Sequence, residues 1–113
     1  NELGCEIIAT IGAQASAGLE MKYVLVAPIL AIPKVLQKEG ISQDAIDLFE
    51  INEAFSGSTV AVLRELNLDP AKVNVNGGSV ALGHPIGARG CRVLVTLLHE
   101  MIKKNKKTGL TSL

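Results

Sequence analysis

"IDLFEINEAFSGSTVAVLREL", residues 46–66, changes its hydrophobic period part-way along. "IDLFEIN" is short and apolar, and predicts a strand. "EAFSGSTVAVLREL" places Phe55, Thr59, Val62 and Leu66 on one stripe at helical spacing, and predicts a helix. A strand running straight into a helix is the building unit of layered α/β folds. The neighbouring segments read the same way. "CEIIATIGAQA", residues 5–15, predicts a buried strand, and "PILAIPKVLQKEG", residues 28–40, predicts a helix. In that helix Ile29, Ile32, Val35 and Leu36 follow helical spacing, Pro33 falls early and Gly40 stands just past the end. Ser42 caps a short turn, and Asp69-Pro70 reads as an N-cap followed by proline at the first helical position. "KVNVN", residues 72–76, is a short strand candidate. After a glycine-rich loop, Cys91, Leu94, Val95, Leu98, Met101 and Ile102 form one apolar stripe, predicted as a core face. "TGLTSL", residues 108–113, begins another strand. A sheet built from these pieces keeps an open edge, which needs a partner.

The chain has 113 residues, the size of one domain. Its apolar share of 48% against 19% charged residues is on the apolar side for a small free-standing domain, so it is read as packing on a partner subunit or on more of its own chain. A formal net charge of zero argues against nucleic acid or an acidic membrane surface as partner. Lys103, Lys104, Lys106 and Lys107 read as the solvated end of a helix, complementing its dipole. The longest apolar stretch, "YVLVAPILAIP", falls short of the ~18 residues a membrane helix requires. No cationic start with an apolar run opens the sequence, so no signal peptide is expected. With only Cys5 and Cys91 and no paired spacing, neither a disulfide framework nor a metal site is suggested; a cytoplasmic, reducing setting fits.

Two stretches could carry chemistry. "NEAF", residues 52–55, lies where strand becomes helix. Asn52 reads either as the helix N-cap, with Glu53 suiting the dipole, or as an amide held at the carboxyl end of a strand, where α/β sheets bind ligands. "GGSVALGHPIGARG", residues 77–90, sets five glycines and one proline around His84. Pro85 biases His84 toward extended backbone, Gly83 and Gly87 remove bulk beside it, and Gly87 and Gly90 are expected in the opening turn of the next helix. Such a mount suits an imidazole that accepts a proton from a thiol or donates to an oxyanion; a histidine capping a turn is the competing reading. The loop lacks both the P-loop and the G-x-G-x-x-G spacing, although Arg89 and Arg92 could attract an anion. Cys91 is expected on the buried stripe and His99 at the surface. Neither Cys5 nor Cys91 has a base beside it, so neither reads as a nucleophile.

"EINEAFSGS" followed by "VNVNGGSVALGHPIGARGCRVLVTLLHEM" resembles the thiolase family, the acetyl-CoA acetyltransferases and 3-ketoacyl-CoA thiolases. The likeness runs from "IATIGAQASAG" through "APILAIPKVL" to "TGLTSL". It implies an α/β fold, a thiolase-type layered α/β/α half-domain with a mixed sheet, truncated before its last strands. It implies that His84 draws the proton from a nucleophilic cysteine and lines an oxyanion hole, and that Asn52 holds a water completing that hole. Ala54 and Phe55 match residues beside the acyl and pantetheine part of the substrate. The implied reaction joins two acyl-CoA molecules or cleaves a 3-ketoacyl-CoA with CoA, through an acyl-cysteine, with no metal and no cofactor beyond the CoA thioester substrates. A homo-oligomer with a place in fatty acid metabolism is implied as well.

Residues 1–113 then correspond to the family's C-terminal domain without the N-terminal half, which holds the acylated cysteine, and without the C-x-G-G-G segment that holds the second cysteine. The 113 residues alone are expected to be inactive and to need the remainder of a thiolase chain or another subunit. The segment "LVAP", residues 25–28, stands where the family often has glycines, and Arg89 where it usually has a small residue. Two other function classes fit the sequence: a non-catalytic thiolase-like interaction module, and a CoA- or anion-binding domain using Arg89 and Arg92.

Overall fold

The structure is a computed structural model that describes residues 2–113. Its first regular element is a 3₁₀ turn, Met21–Val26, which leads through Ala27 into helix α1, Pro28–Glu39. Pro28 sits at the first helical position, where its missing N–H is one the helix would leave unpaired. Ile32 and Leu36 are buried one turn apart, with Ile29 and Val35 packed beside them. Gly40 ends the helix at φ 74°, and its N–H and that of Ile41 both return to the Leu36 carbonyl. Pro33 is the sixth residue of α1, past its first turn, so its ring removes one bond of the helical ladder. It lies on the exposed side of α1.

Strand β1, Leu48–Ile51, is buried along its whole length and is followed by helix α2, Ser56–Glu65. Between α1 and β1, Ser42 does occupy the cap position of a 3₁₀ turn, Gln43–Ala45, but its side chain makes no capping bond. Asp69 does cap as expected: its carboxylate accepts the Ala71 N–H at 2.9 Å, opening the turn Pro70–Lys72. A short helix α3, Ser79–Leu82, lies inside the glycine loop, and α4, Arg89–Lys103, leads back to strand β2, Gly109–Ser112. β2 pairs with β1 in parallel, Leu48 opposite Gly109 and Ile51 opposite Ser112. On the other side of β1, Phe49 bridges Val73, also in parallel.

β1 is therefore central, with Val73 on one side and β2 on the other. The chain crosses from β1 to Val73 through α2 and then back past β1 to β2 through α4. Right-handed crossovers in opposite directions put their helices on opposite faces of a sheet. Side-chain alternation agrees. Phe49 and Ile51 join Ile32, Leu36, Ile46, Val62, Leu68, Val73 and Leu110 in one apolar core. Leu48 and Glu50 face the other way, toward α4. Gly109 lies under α4 as well: a Cβ there would come within 2.5 Å of Met101 Sδ and 2.8 Å of Leu97, so a larger residue would have to push both side chains aside.

Three expectations change. Residues 5–15 form no strand. They run in irregular backbone along the outside, with Ile7, Ile8 and Ile11 each 64–75% exposed, because no described strand lies alongside to form a ladder with them. Polar holds fasten the segment to α1 instead: Ala13 N–H to Glu39 (2.6 Å), and Lys38 and Lys34 to the carbonyls of Gln14 and Ser16. Residues 72–76 shrink to the single bridge at Val73, since Asn74 turns to φ 48° and ends the extended run. Finally, α4 buries Val93, Leu97 and Glu100, while Cys91, Leu94, Val95 and Ile102 are exposed. The apolar arc of α4 is wider than its contact with the sheet, and spacing alone does not say which edge turns inward.

Two local devices close the sheet. The Asn74 amide accepts the Ile51 N–H (2.8 Å) and donates to the Ile51 carbonyl (2.9 Å), replacing the ladder that its own turn interrupts. Asn74→Ala leaves both Ile51 groups unmatched, and is expected to lower unfolding stability by about 2 kcal/mol in urea titration; an unchanged midpoint contradicts this account.

At the start of β2 the Asp47 carboxylate accepts the N–H groups of Lys107 (2.9 Å) and Thr108 (3.1 Å). These bonds, helped by the charges of Lys106 and Lys72, hold its pKa below the ordinary 3.8. Because the folded carboxylate is the more acidic one, its stabilisation is complete above that ordinary value and disappears as pH falls through the lower folded value. Glu100, lowered mainly by Lys104 and then by Asn76, acts in the same direction. Urea midpoints are therefore expected to fall as pH drops below about 4, and to fall less steeply in Asp47→Asn.

Candidate active site

Asn52 follows β1 directly and extends its register, donating its N–H to the Ser112 carbonyl at 2.8 Å. It is not the cap of α2. That position belongs to Phe55, in extended backbone, whose carbonyl accepts the N–H and hydroxyl of Ser58. This correction follows from the extra loop residues, which start α2 at Ser56 and leave the Asn52 side chain free to reach elsewhere. Its Oδ1 accepts the hydroxyl of buried Ser79 at 3.1 Å. Glu53, likewise, is not spent on the dipole of α2: its Oε2 accepts the Val80 N–H at 3.1 Å. Consecutive residues of the "NEAF" loop thus bond consecutive residues at the start of α3, 27 positions later.

The glycine loop is shaped to permit that approach. Gly77 turns at φ 84°, its N–H closing on the Asn74 carbonyl (2.8 Å), and Gly83 ends α3 at φ 93°. Gly78 has an ordinary φ, but a Cβ there would run into the Glu53 carboxylate and lie 3.0 Å from the Asn74 amide. His84 follows Gly83 and is half-buried; its Nδ1 is buried with no hydrogen-bond partner among the described residues. The Pro85 carbonyl accepts the Ala88 N–H at 2.9 Å, so Gly87 belongs to this turn and only Gly90 to the first turn of α4.

Asn52, at one end of the sheet, bonds Ser79 in the first turn of α3, and His84 follows α3 after Gly83. That end lies beyond the carboxyl terminus of β1, between the two crossovers, the position at which open α/β sheets form their clefts. Ala54 is half-buried and Phe55 is 64% exposed, so the predicted stripe through Phe55 begins only at Thr59. An open groove of about 450 Å³ runs between α2 and the glycine loop, lined by Glu53, Val60, Leu63, Val73, Gly78 and Ala81 among others. Neither His84 nor Asn52 lines it.

Arg92, expected as an anion-attracting group, is instead committed inward. Its Nη1 meets Glu50 Oε1 at 2.7 Å, with the Glu50 side chain 3% exposed. Burial pushes the Glu50 pKa up, Arg92 opposes that, and the Glu53 charge adds to the rise. Arg89 is exposed, and so is Cys91, contrary to its expected burial. His99 is at the surface as read. Among the described residues no His, Cys, Asp or Glu cluster could hold a metal ion, and no helix is long and apolar enough to cross a membrane. Spacing did not identify Ser79, Asn74 or the Glu50–Arg92 pair. One signal was present: a carboxylate in the middle of the apolar run "LFEI".

The family model for the thiolase C-terminal domain matches residues 5–113. An acetyl-CoA acetyltransferase from Pseudomonas aeruginosa is 53% identical over 98% of this chain, and a probable acetyl-CoA acetyltransferase from Escherichia coli is 45% identical over a similar span. The chain spans about 28% of the length of each. Among solved structures, an acetyl-CoA acetyltransferase from Syntrophomonas wolfei superposes with a TM-score of 0.93 at 33% identity, covering 98% of this chain and 30% of that one. One from Bacillus anthracis superposes at 0.86 with 44% identity, over 88% of this chain and 25% of that one.

The contact between the two loops is directly testable. Gly78→Ala forces Glu53 away from the Val80 N–H, and overpacking of this kind is expected to lower stability by about 1–3 kcal/mol by thermal or urea unfolding. A variant as stable as the parent contradicts the close approach.

Proposed function

The chain belongs to the thiolase family, and on that premise we propose that it forms the C-terminal part of an acetyl-CoA acetyltransferase-like enzyme. The enzyme joins two acyl-CoA molecules, or cleaves a 3-ketoacyl-CoA with CoA, through an acyl-cysteine. The observation that supports this reading is the joining of the "NEAF" loop to the glycine loop: Asn52 meets Ser79 and Glu53 meets Val80 at the start of α3, the short helix that runs into "GHP".

In this reading His84 takes the proton of the nucleophilic thiol, and then donates to the thioester oxygen as negative charge develops there. Its buried and unmatched Nδ1 suits a ring whose partners come from outside the described residues. Asn52, unable to transfer protons at neutral pH, orients a water toward the same oxygen. Ser79 occupies its carbonyl side and leaves the NH₂ side for that water. Ala54 and Phe55 flank the acyl and pantetheine portion, for which the exposed ring of Phe55 offers an apolar surface. No metal and no cofactor beyond CoA thioesters enters the scheme. Both thiols come from other parts of the protein, so the 113 residues alone are inactive.

The exposed Ile7, Ile8, Ile11, Leu94, Val95 and Ile102 support burial against the remainder of a thiolase chain and within a homo-oligomer. A reducing cytoplasm and a role in fatty acid metabolism complete the proposal. Anion binding through Arg92 loses its support, because Glu50 already holds that guanidinium.

The test is thiolysis of acetoacetyl-CoA by the complete chain and its His84→Ala variant. The variant is expected to lose about 10³-fold in kcat with an unchanged far-ultraviolet circular dichroism spectrum. Acylation by acetyl-CoA at the parent rate in His84→Ala removes the assigned role.

A further inference from the structure

Glu50 lies two residues before Asn52 on β1, and by strand alternation both occupy the face turned toward α4. Arg92 lies in the first turns of α4, eight residues after His84. Their 2.7 Å contact is the charged link from the strand that presents Asn52 to the helix that follows the histidine loop. As a stabilising device the pair is poorly optimised. Arg92 Nε and Nη2 are buried without acceptors among the described residues, and both charges have been taken out of water. Buried pairs of this kind are often no more stable than an apolar pair of equal volume. What they add is direction: a hydrogen bond fixes distance and angle, whereas apolar contact slides.

We propose that Arg92 and Glu50 are positioning residues, which set the spacing of His84 and Asn52 for the thioester chemistry without touching substrate. The inference rests on the thiolase reading above. The route is short at both ends. Glu50 leads through Ile51, whose backbone Asn74 holds at N–H and carbonyl, into Asn52. Arg92 donates its backbone N–H to the Ala88 carbonyl, and the Ala88 N–H closes the turn on Pro85, next to His84. A shift of either element moves one catalytic group relative to the other, and errors near 1 Å at a reacting centre cost on the order of 100-fold in rate.

The test compares acetoacetyl-CoA thiolysis by the complete chain with that of Glu50→Gln, Arg92→Lys, the combination of the two, and the apolar pair Glu50→Leu/Arg92→Met, each expressed per folded molecule from circular dichroism. Glu100→Gln, which loosens the far end of α4, is the control. Expected are a fall of about 10- to 100-fold in kcat with KM for acetoacetyl-CoA within about twofold, and a combined variant no worse than the poorer single one. The apolar pair is expected to melt at or above the parent temperature while kcat stays low. Glu100→Gln is expected to keep the parent kcat. An apolar pair that recovers kcat along with stability reduces the link to packing and overturns the proposal. So does full kcat in Glu50→Gln and Arg92→Lys with an active parent. A parent chain without thiolysis overturns the thiolase reading itself, and the inference falls with it.

Discussion

Both backbone groups of Ile51 are held by one side-chain amide, that of Asn74, and the candidate site depends on this. Without it the Ile51 N–H and carbonyl on the Val73 side would lack partners, and the glycine loop would start from a less constrained residue. With it, the residue after the Val73 bridge is pinned to the residue before Asn52, and the next turns have a fixed origin. Gly77 and Gly78 then fold the loop back until Ser79 and Val80 meet Asn52 and Glu53. Each of these bonds joins groups 23 to 27 residues apart, so each closes a long loop and gains its strength from the others already being in place.

The two faces of the sheet are built on different physics. Toward α1 and α2 the contact is apolar, with Ile32, Ile51 and Val62 almost fully buried. Non-directional burial of this sort supplies most of the free energy of folding. Toward α4 the same strand presents Glu50, and the helix presents Arg92 and Glu100 beside Val93 and Leu97. Glu100 is satisfied there by Asn76 (2.9 Å) and Lys104 (2.8 Å). This second face gains less from burial and more from matched polar groups, and it is the face Asn52 shares. The outer side of α4 carries the leftover apolar residues, Leu94, Val95 and Ile102, which no described residue covers.

Sequence period located β1, α1, α2, α4 and β2, because each carries enough apolar residues to display its spacing. Boundaries were less legible: "IDLFEIN" narrowed to Leu48–Ile51 and α2 began three residues later than read, at Ser56. That delay decided between the two readings of Asn52, since a later start hands the cap to Phe55 and releases the asparagine. The buried face of α4 departs from its apolar pattern for a different reason. Its outer residues are as apolar as its inner ones, so the pattern marks what can be buried and not what is. Residues 5–15 failed likewise: strand-forming composition is necessary for a ladder, but a neighbour must supply the other half. Asn74 and Ser79 left no trace, because their importance lies in partners distant in sequence, and single residues of ordinary polarity carry no periodic signal.

The carboxylate in "LFEI" is the exception, and it shows what kind of irregularity carries information. A glutamate within four consecutive buried strand residues must meet a cation or give up its charge, since isolated burial of the ionised form is prohibitively costly. Only an element crossing the same face can bring the cation, so Glu50 in effect requires a basic residue on the helix that leads into the parallel partner strand. Arg92 meets that requirement at the one place on α4 close to the turn that holds His84. The constraint runs from the core outward: burial of a charge fixes a partner, the partner fixes the helix start, and the helix start fixes where the histidine loop must end.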